Sequence, residues 1–161
     1  MKHRIAGILV LASGLSCTAA WAADGNKVNY PGDYRDWHHV KSMVIQPGHA
    51  LENPFGGIHH VYANKKAVQG LKSGQYPDGA VLVFDLLKYN EGGNALQEGE
   101  RKLVGVMQRN AKRFKATGGW GFEGFAGDSH DKRLVSDGGK SCFACHAPEE
   151  KSAYVFSKLR N

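Results

Sequence analysis

Cysteine is scarce in this chain: three residues in 161, Cys17, Cys142 and Cys145. That excludes the disulfide framework of a small secreted scaffold. A zinc site built on Cys142 and Cys145 would need a second ligand pair at metal spacing, and no other cysteine lies near. Long apolar runs are missing after residue 22, so nothing there is long enough to span a membrane. No run of Lys or Arg occurs, and the formal net charge of +6 is spread along the chain, which argues against a nucleic-acid surface. Internal repeats, linkers and low-complexity tracts are absent as well. Glycine, in contrast, is abundant. Twenty-one glycines argue against a helical bundle, because each one inside a helix costs about 1 kcal/mol relative to alanine.

The first 22 residues have the form of an export signal. Lys2, His3 and Arg4 make a basic start, Ile5 to Leu15 an apolar stretch too short to cross a bilayer, and Ala20-Trp21-Ala22 an A-x-A cleavage pattern. Cys17 raises a lipoprotein alternative, but Gly14-Leu15-Ser16 lacks the large aliphatic residue expected three positions before the cysteine. Cleavage after Ala22 removes Lys2 and Arg4 and leaves one domain, residues 23–161, with 19 basic and 15 acidic side chains. The expected location is the periplasm, without a membrane anchor.

Both cysteines of that domain lie in Cys142-Phe143-Ala144-Cys145-His146, the C-x-x-C-H pattern of c-type haem attachment. Two thiols three positions apart can each add across one vinyl group of the same porphyrin. The histidine that follows then offers an imidazole nitrogen to the iron. A redox dithiol would instead be expected after an early strand of a βαβ unit, not at the end of the chain. The expected cofactor is one covalently attached haem c.

Elsewhere the pattern is short strands and tight turns. Strands are expected at 40–45, 58–63, 80–87 and 103–107. A helix is expected over Lys65 to Ser73, capped by Asn64 and ended by Gly74, and another over Tyr154 to Arg160. Pro77-Asp78-Gly79 and residues 90–94 read as turns. Trp120-Gly121-Phe122-Glu123-Gly124-Phe125 is aromatic and glycine-rich; Gly121 and Gly124 would let a flat ring or another backbone come close. The fold class is mainly β (α+β), an antiparallel sheet domain with short packing helices.

A haem that only carries electrons usually has both axial positions filled. Met43 and Met107 sit among apolar strand residues and read as core. His38, His39, His49 and His130 read as solvated, and of His59 and His60 only one can face the haem. Five-coordinate iron with an open, guarded face is the simpler expectation.

The chain resembles the cytochrome c′-beta and cytochrome P-460 family from about Tyr34 to Arg160. The resemblance rests on Asp33-Tyr34-Arg35-Asp36-Trp37, His60-Val61-Tyr62-Ala63-Asn64, Tyr76-Pro77-Asp78-Gly79, Gly119-Trp120-Gly121-Phe122, Cys142 to His146 and Tyr154-Val155-Phe156, in that order. It implies a homodimer of β-sheet haem domains with His146 as the axial ligand. One branch of the family oxidises hydroxylamine and cross-links a lysine to the haem; the other caps the open iron with phenylalanines and binds small gases. The position matching the lysine is Phe84, and Phe55 falls where a second capping ring is implied. His59 matches a polar position near the distal pocket of enzymatic relatives, and a structural or solvated His59 stands equally open. The implied function is binding of nitric oxide and carbon monoxide. The alternatives are an enzyme of hydroxylamine or nitric oxide oxidation, and an electron-transfer cytochrome with a small redox partner.

Overall fold

The computed structural model describes residues 27–160. The expected export signal, with Cys17, lies outside the described residues.

Five strands form one antiparallel sheet in sequence order: β1 (His38–Ile45), β2 (Gly57–Ala63), β3 (Val81–Gly92), β4 (Ala95–Arg109) and β5 (Trp120–Ala126). The expected mainly β domain is therefore what the chain forms. Among the described residues, three short α-helices accompany the sheet: α1 (Glu52–Phe55), α2 (Lys65–Ser73) and α3 (Lys140–His146). β3 and β4 are joined by Gly93-Asn94, both at positive φ (59° and 58°), the backbone of the two-residue turn that suits the right-handed twist of a hairpin. β3 and β4 both run past the expected 80–87 and 103–107 limits. None of the residues 88–100 added to the two strands is buried, and Glu91, Glu98 and Glu100 among them are exposed, so the hairpin arm is held by its backbone ladder and not by deep apolar burial.

α2 has the expected limits. Asn64 Oδ1 accepts from Ala67 N at 2.8 Å and from Val81 N at 3.1 Å, while its amide donates to the Gly79 carbonyl at 2.9 Å. One side chain thus starts the helix and ties it to the Pro77–Gly79 turn and the head of β3. Gly74 ends the helix at φ 75°. The expected helix over Tyr154 to Arg160 does not form. A 3-10 helix spans Ala147–Ser152 instead, Ala153 and Tyr154 follow in left-handed conformation (φ 53° and 67°), and the chain continues without helix. Two successive left-handed residues cannot continue a right-handed helix.

The sheet separates two apolar layers. One face packs Val61, Leu82, Met107 and Phe122 against α2, Cys142, Phe143, Tyr154 and Val155. The other packs Val83, Val104, Val106 and Phe125 against Val28, Tyr34 and Phe114. A carboxylate is buried on this second face: Asp85, fully inaccessible, accepts from Tyr34 Oη at 2.8 Å and Arg101 Nε at 2.7 Å, with Arg35 at 3.4 Å. That burial and the carboxylate beside it hold the Tyr34 hydroxyl well above its ordinary range.

Candidate functional site

Strand register places the site residues in rows across the first face. Ala63, Leu82, Met107 and Phe122 form one row; Val61, Phe84, Gly105 and Gly124 the next; His59, Leu86, Leu103 and Ala126 the third. Rows on one face are two residues apart, about 7 Å along a strand.

α3 lies against the first row. Asp137 starts it, accepting from Gly139 N at 2.9 Å and Ser141 N at 2.8 Å. Gly139 sits at φ 87°, and a Cβ there would lie 3.1 Å from that of Phe122, so glycine lets the helix approach β5 closely. Cys142 is half-buried against the core and Cys145 is exposed, and no disulfide joins them. Burial, and then the Asp137 charge, push the Cys142 thiol up.

His146 ends α3 with its ring 5.0 Å from that of Phe122 and 4.8 Å from that of Phe156. Its Nδ1 is 2.7 Å from the Tyr154 carbonyl. A carbonyl only accepts, so the proton is on Nδ1. Burial holds the ring below the ordinary histidine range despite that hydrogen bond, so it is neutral near pH 7 and Nε2 keeps a free lone pair for a metal. The left-handed turn at 153–154 is what aims this carbonyl at the ring.

Phe84 in the second row and His59 in the third gather with Phe55. The Phe84 ring is 4.4 Å from the His59 ring and meets the Phe55 ring edge-on at 5.8 Å. Phe55 reaches Phe84 from α1, whose loop Lys102 ties to β4 by donating to the Pro54 and Gly56 carbonyls at 2.9 and 2.7 Å. His60 points to the opposite face, where it meets Ser42 and Glu98, each at 2.6 Å. His59 is 3 % exposed, and its Nδ1 is a buried polar atom without a partner among the described residues.

Between the two groups the sheet is low. Gly105 and Gly124 stand side by side, and a Cβ would lie 3.4 Å from Phe84 Cβ at the first and 3.3 Å from Leu134 Cβ at the second. Leu134 (51 % exposed) and Phe156 (53 %) leave large apolar surfaces uncovered beside this shelf. Arg133 and Leu134 N hold their loop to β5, through Glu123 at 2.7 Å and the Gly124 carbonyl at 2.8 Å.

A family model for cytochrome P460 matches residues 31–157. The chain belongs to the cytochrome P460 family. Membership implies a haem cofactor, and the residues of this P460 chain fit one. The neutral imidazole with a free Nε2 suits iron, the low glycine shelf and uncovered Leu134 and Phe156 suit a flat apolar ring, and the orphan His59 Nδ1 awaits a polar partner. A search of curated proteins returns no match to the chain.

Of the residues singled out in the sequence, Cys142, Cys145 and His146 come together on α3, and Phe55, Phe84 and His59 come together on the sheet. Gly121 and Gly124 serve opposite faces: a Cβ at Gly121 would strike the Phe114 ring at 2.4 Å, so the flat ring that comes close there is phenylalanine. Met107 is core, as expected, but Met43 is 37 % exposed. It lies on the edge strand β1, paired with His59, with no further strand among the described residues to cover it. Leu134, Lys102 and the Tyr154 carbonyl were not legible as site residues.

His59 gives the fold a pH dependence. Burial chiefly, then the charge of Lys41 and then His60, lower its pKa from 6.5 to about 4. Between these values the unfolded chain binds a proton that the folded one refuses. The His59 contribution to stability is therefore complete above about pH 6.5 and is lost as pH falls through about 4. The melting temperature of His59→Leu should fall less steeply than that of the parent over this window; parallel curves would contradict the assignment.

Proposed function

We propose that this protein is an exported, homodimeric c-type cytochrome that binds nitric oxide and carbon monoxide under a phenylalanine cap. Cys142 and Cys145 would hold one haem through thioethers, and His146 Nε2 would be the one side-chain nitrogen offered to its iron. When bound, the haem iron supplies an open coordination position for a diatomic gas. The observation that carries the reading is the edge-on contact of the Phe55 and Phe84 rings on the sheet face that also receives α3. Their rings offer no hydrogen-bond donor, which suits ligands that need none and disfavours dioxygen, which gains from one.

The cross-linking chemistry of the enzymatic branch lacks its lysine at Phe84. Lys88, four residues on, is engaged with Glu100 at 2.7 Å and lies roughly 13 Å further along β3 at about 3.3 Å per residue. The second reading, oxidation of hydroxylamine or nitric oxide, is favoured by one observation: His59 is a neutral base, in contact with Phe84, whose Nδ1 has no partner among the described residues.

Stopped-flow mixing of ferrous protein with carbon monoxide tests the cap. Phe84→Ala removes the ring that must move, so the association rate should rise about tenfold or more, as a barrier lower by about 1.4 kcal/mol gives. A loss of thermal stability with an unchanged rate would make Phe84 packing and end the cap reading. Turnover of hydroxylamine by the purified protein would favour the enzymatic one.

A further inference from the structure

A groove of about 560 Å³ runs between the C-terminal half of α2 and the chain after the 3-10 helix. Its rim carries Lys72, Lys151, Lys158 and Arg160, all exposed, and no carboxylate among the described residues lines it. None of the four takes part in an ion pair among the described residues. The nearby Glu149 accepts from Ser152 Oγ at 2.9 Å, and Glu150 lies 3.4 Å from the Tyr154 hydroxyl, outside the lining. The floor includes Tyr76, its hydroxyl pushed up to about 12 by burial, and Val155, which is 3 % exposed. Val155 follows Tyr154, whose carbonyl accepts a hydrogen bond from His146 Nδ1 at 2.7 Å. The groove is thus one peptide bond and one hydrogen bond from the ring assigned to iron.

We propose that this groove docks an acidic protein that carries a single electron. Four unpaired cations around a concave surface attract an acidic surface and raise its encounter rate. The electron then crosses Val155, the Tyr154 carbonyl and His146: the partner's centre is oxidised by one, ferric haem is reduced to ferrous, and no bond or proton is exchanged. Delivery from behind His146 leaves the Phe55–Phe84 side free for a gas. The proposal rests on the haem reading above.

The test uses the haem-loaded protein and a triple variant, Lys72→Glu with Lys151→Glu and Lys158→Glu. At low ionic strength, oxidation of the ferrous protein by hexacyanoferrate(III) should slow about tenfold or more, and the parent rate should fall with added salt. A control with the same net charge, Lys65→Glu with Lys88→Glu and Lys112→Glu, should stay within about twofold of the parent. Amide shifts on adding a ten-residue polyglutamate should concentrate at residues 70–76 and 151–160. Equal slowing in both variants, or shifts spread evenly over the surface lysines, would overturn the proposal. Those shifts do not depend on haem, so a preparation that shows them without holding haem would count against the haem reading and not against the groove.

Discussion

Replacing Cys142 and Cys145 together with alanine should convert a haem that stays with the protein through acid–acetone extraction into one recovered entirely in the organic phase. The effect is all or none because the two modes of holding differ in kind. Thioethers survive acid, whereas an imidazole–iron bond is broken once the imidazole is protonated and the fold is lost. The fold itself should tolerate the change. Cys145 is exposed, Cys142 only half-buried, and the tie between His146 and the Tyr154 carbonyl does not involve either thiol. The variant can therefore still bind haem reversibly, and its absorption in the native state is a poor guide; extraction is the measurement. Haem extracted from the unsubstituted protein would end the covalent reading.

The second large effect is on stability and comes from the face of the sheet away from the site. Arg101→Met removes the closest cation of Asp85, a carboxylate with no exposed surface, and leaves it Tyr34 and the half-exposed Arg35. Breaking such a buried pair from one side costs about 3–5 kcal/mol, because the remaining charge stays out of water. The Arg101 contact with Asp128 lies at the surface and adds little. Urea denaturation should show the loss. The triple variant Tyr34→Phe, Asp85→Leu, Arg101→Met removes the buried charges of the cluster, leaves only the more exposed Arg35 and Asp128, and should recover most of it. A cost below about 1 kcal/mol for Arg101→Met would mean that water reaches Asp85. Asp85 also directly follows Phe84 in β3, so the cluster on one face fixes the backbone that presents the ring on the other.

Much of the site was legible because its chemistry is local. C-x-x-C-H is contiguous, and the alternation of side chains along any strand sets neighbours such as Phe84 and Asp85 on opposite faces. α2 was legible to its ends, because Asn64 and Gly74 are chemical signals for start and stop. What was missed depends on contacts between distant segments. Tyr154, Val155 and Leu159 have the spacing of a helix face, yet a left-handed turn wins there because it delivers a carbonyl to His146. Leu134 and Val135 are a short apolar pair in a polar loop, and nothing local says that the Glu123–Arg133 pair and the Gly124 carbonyl hold Leu134 over a glycine shelf. Met43 reads as core from its neighbours; only the sheet order makes β1 an edge.

The central claim is a haem with one protein ligand and an open, capped face. The absorption spectrum of the ferrous protein, before and after carbon monoxide, tests it most directly. The account predicts a high-spin, five-coordinate spectrum that shifts fully to a low-spin carbon monoxide adduct and returns when the gas is removed. A low-spin ferrous spectrum unmoved by carbon monoxide would contradict it, and would mean that a second side chain, with His59 the first to replace, already holds the iron.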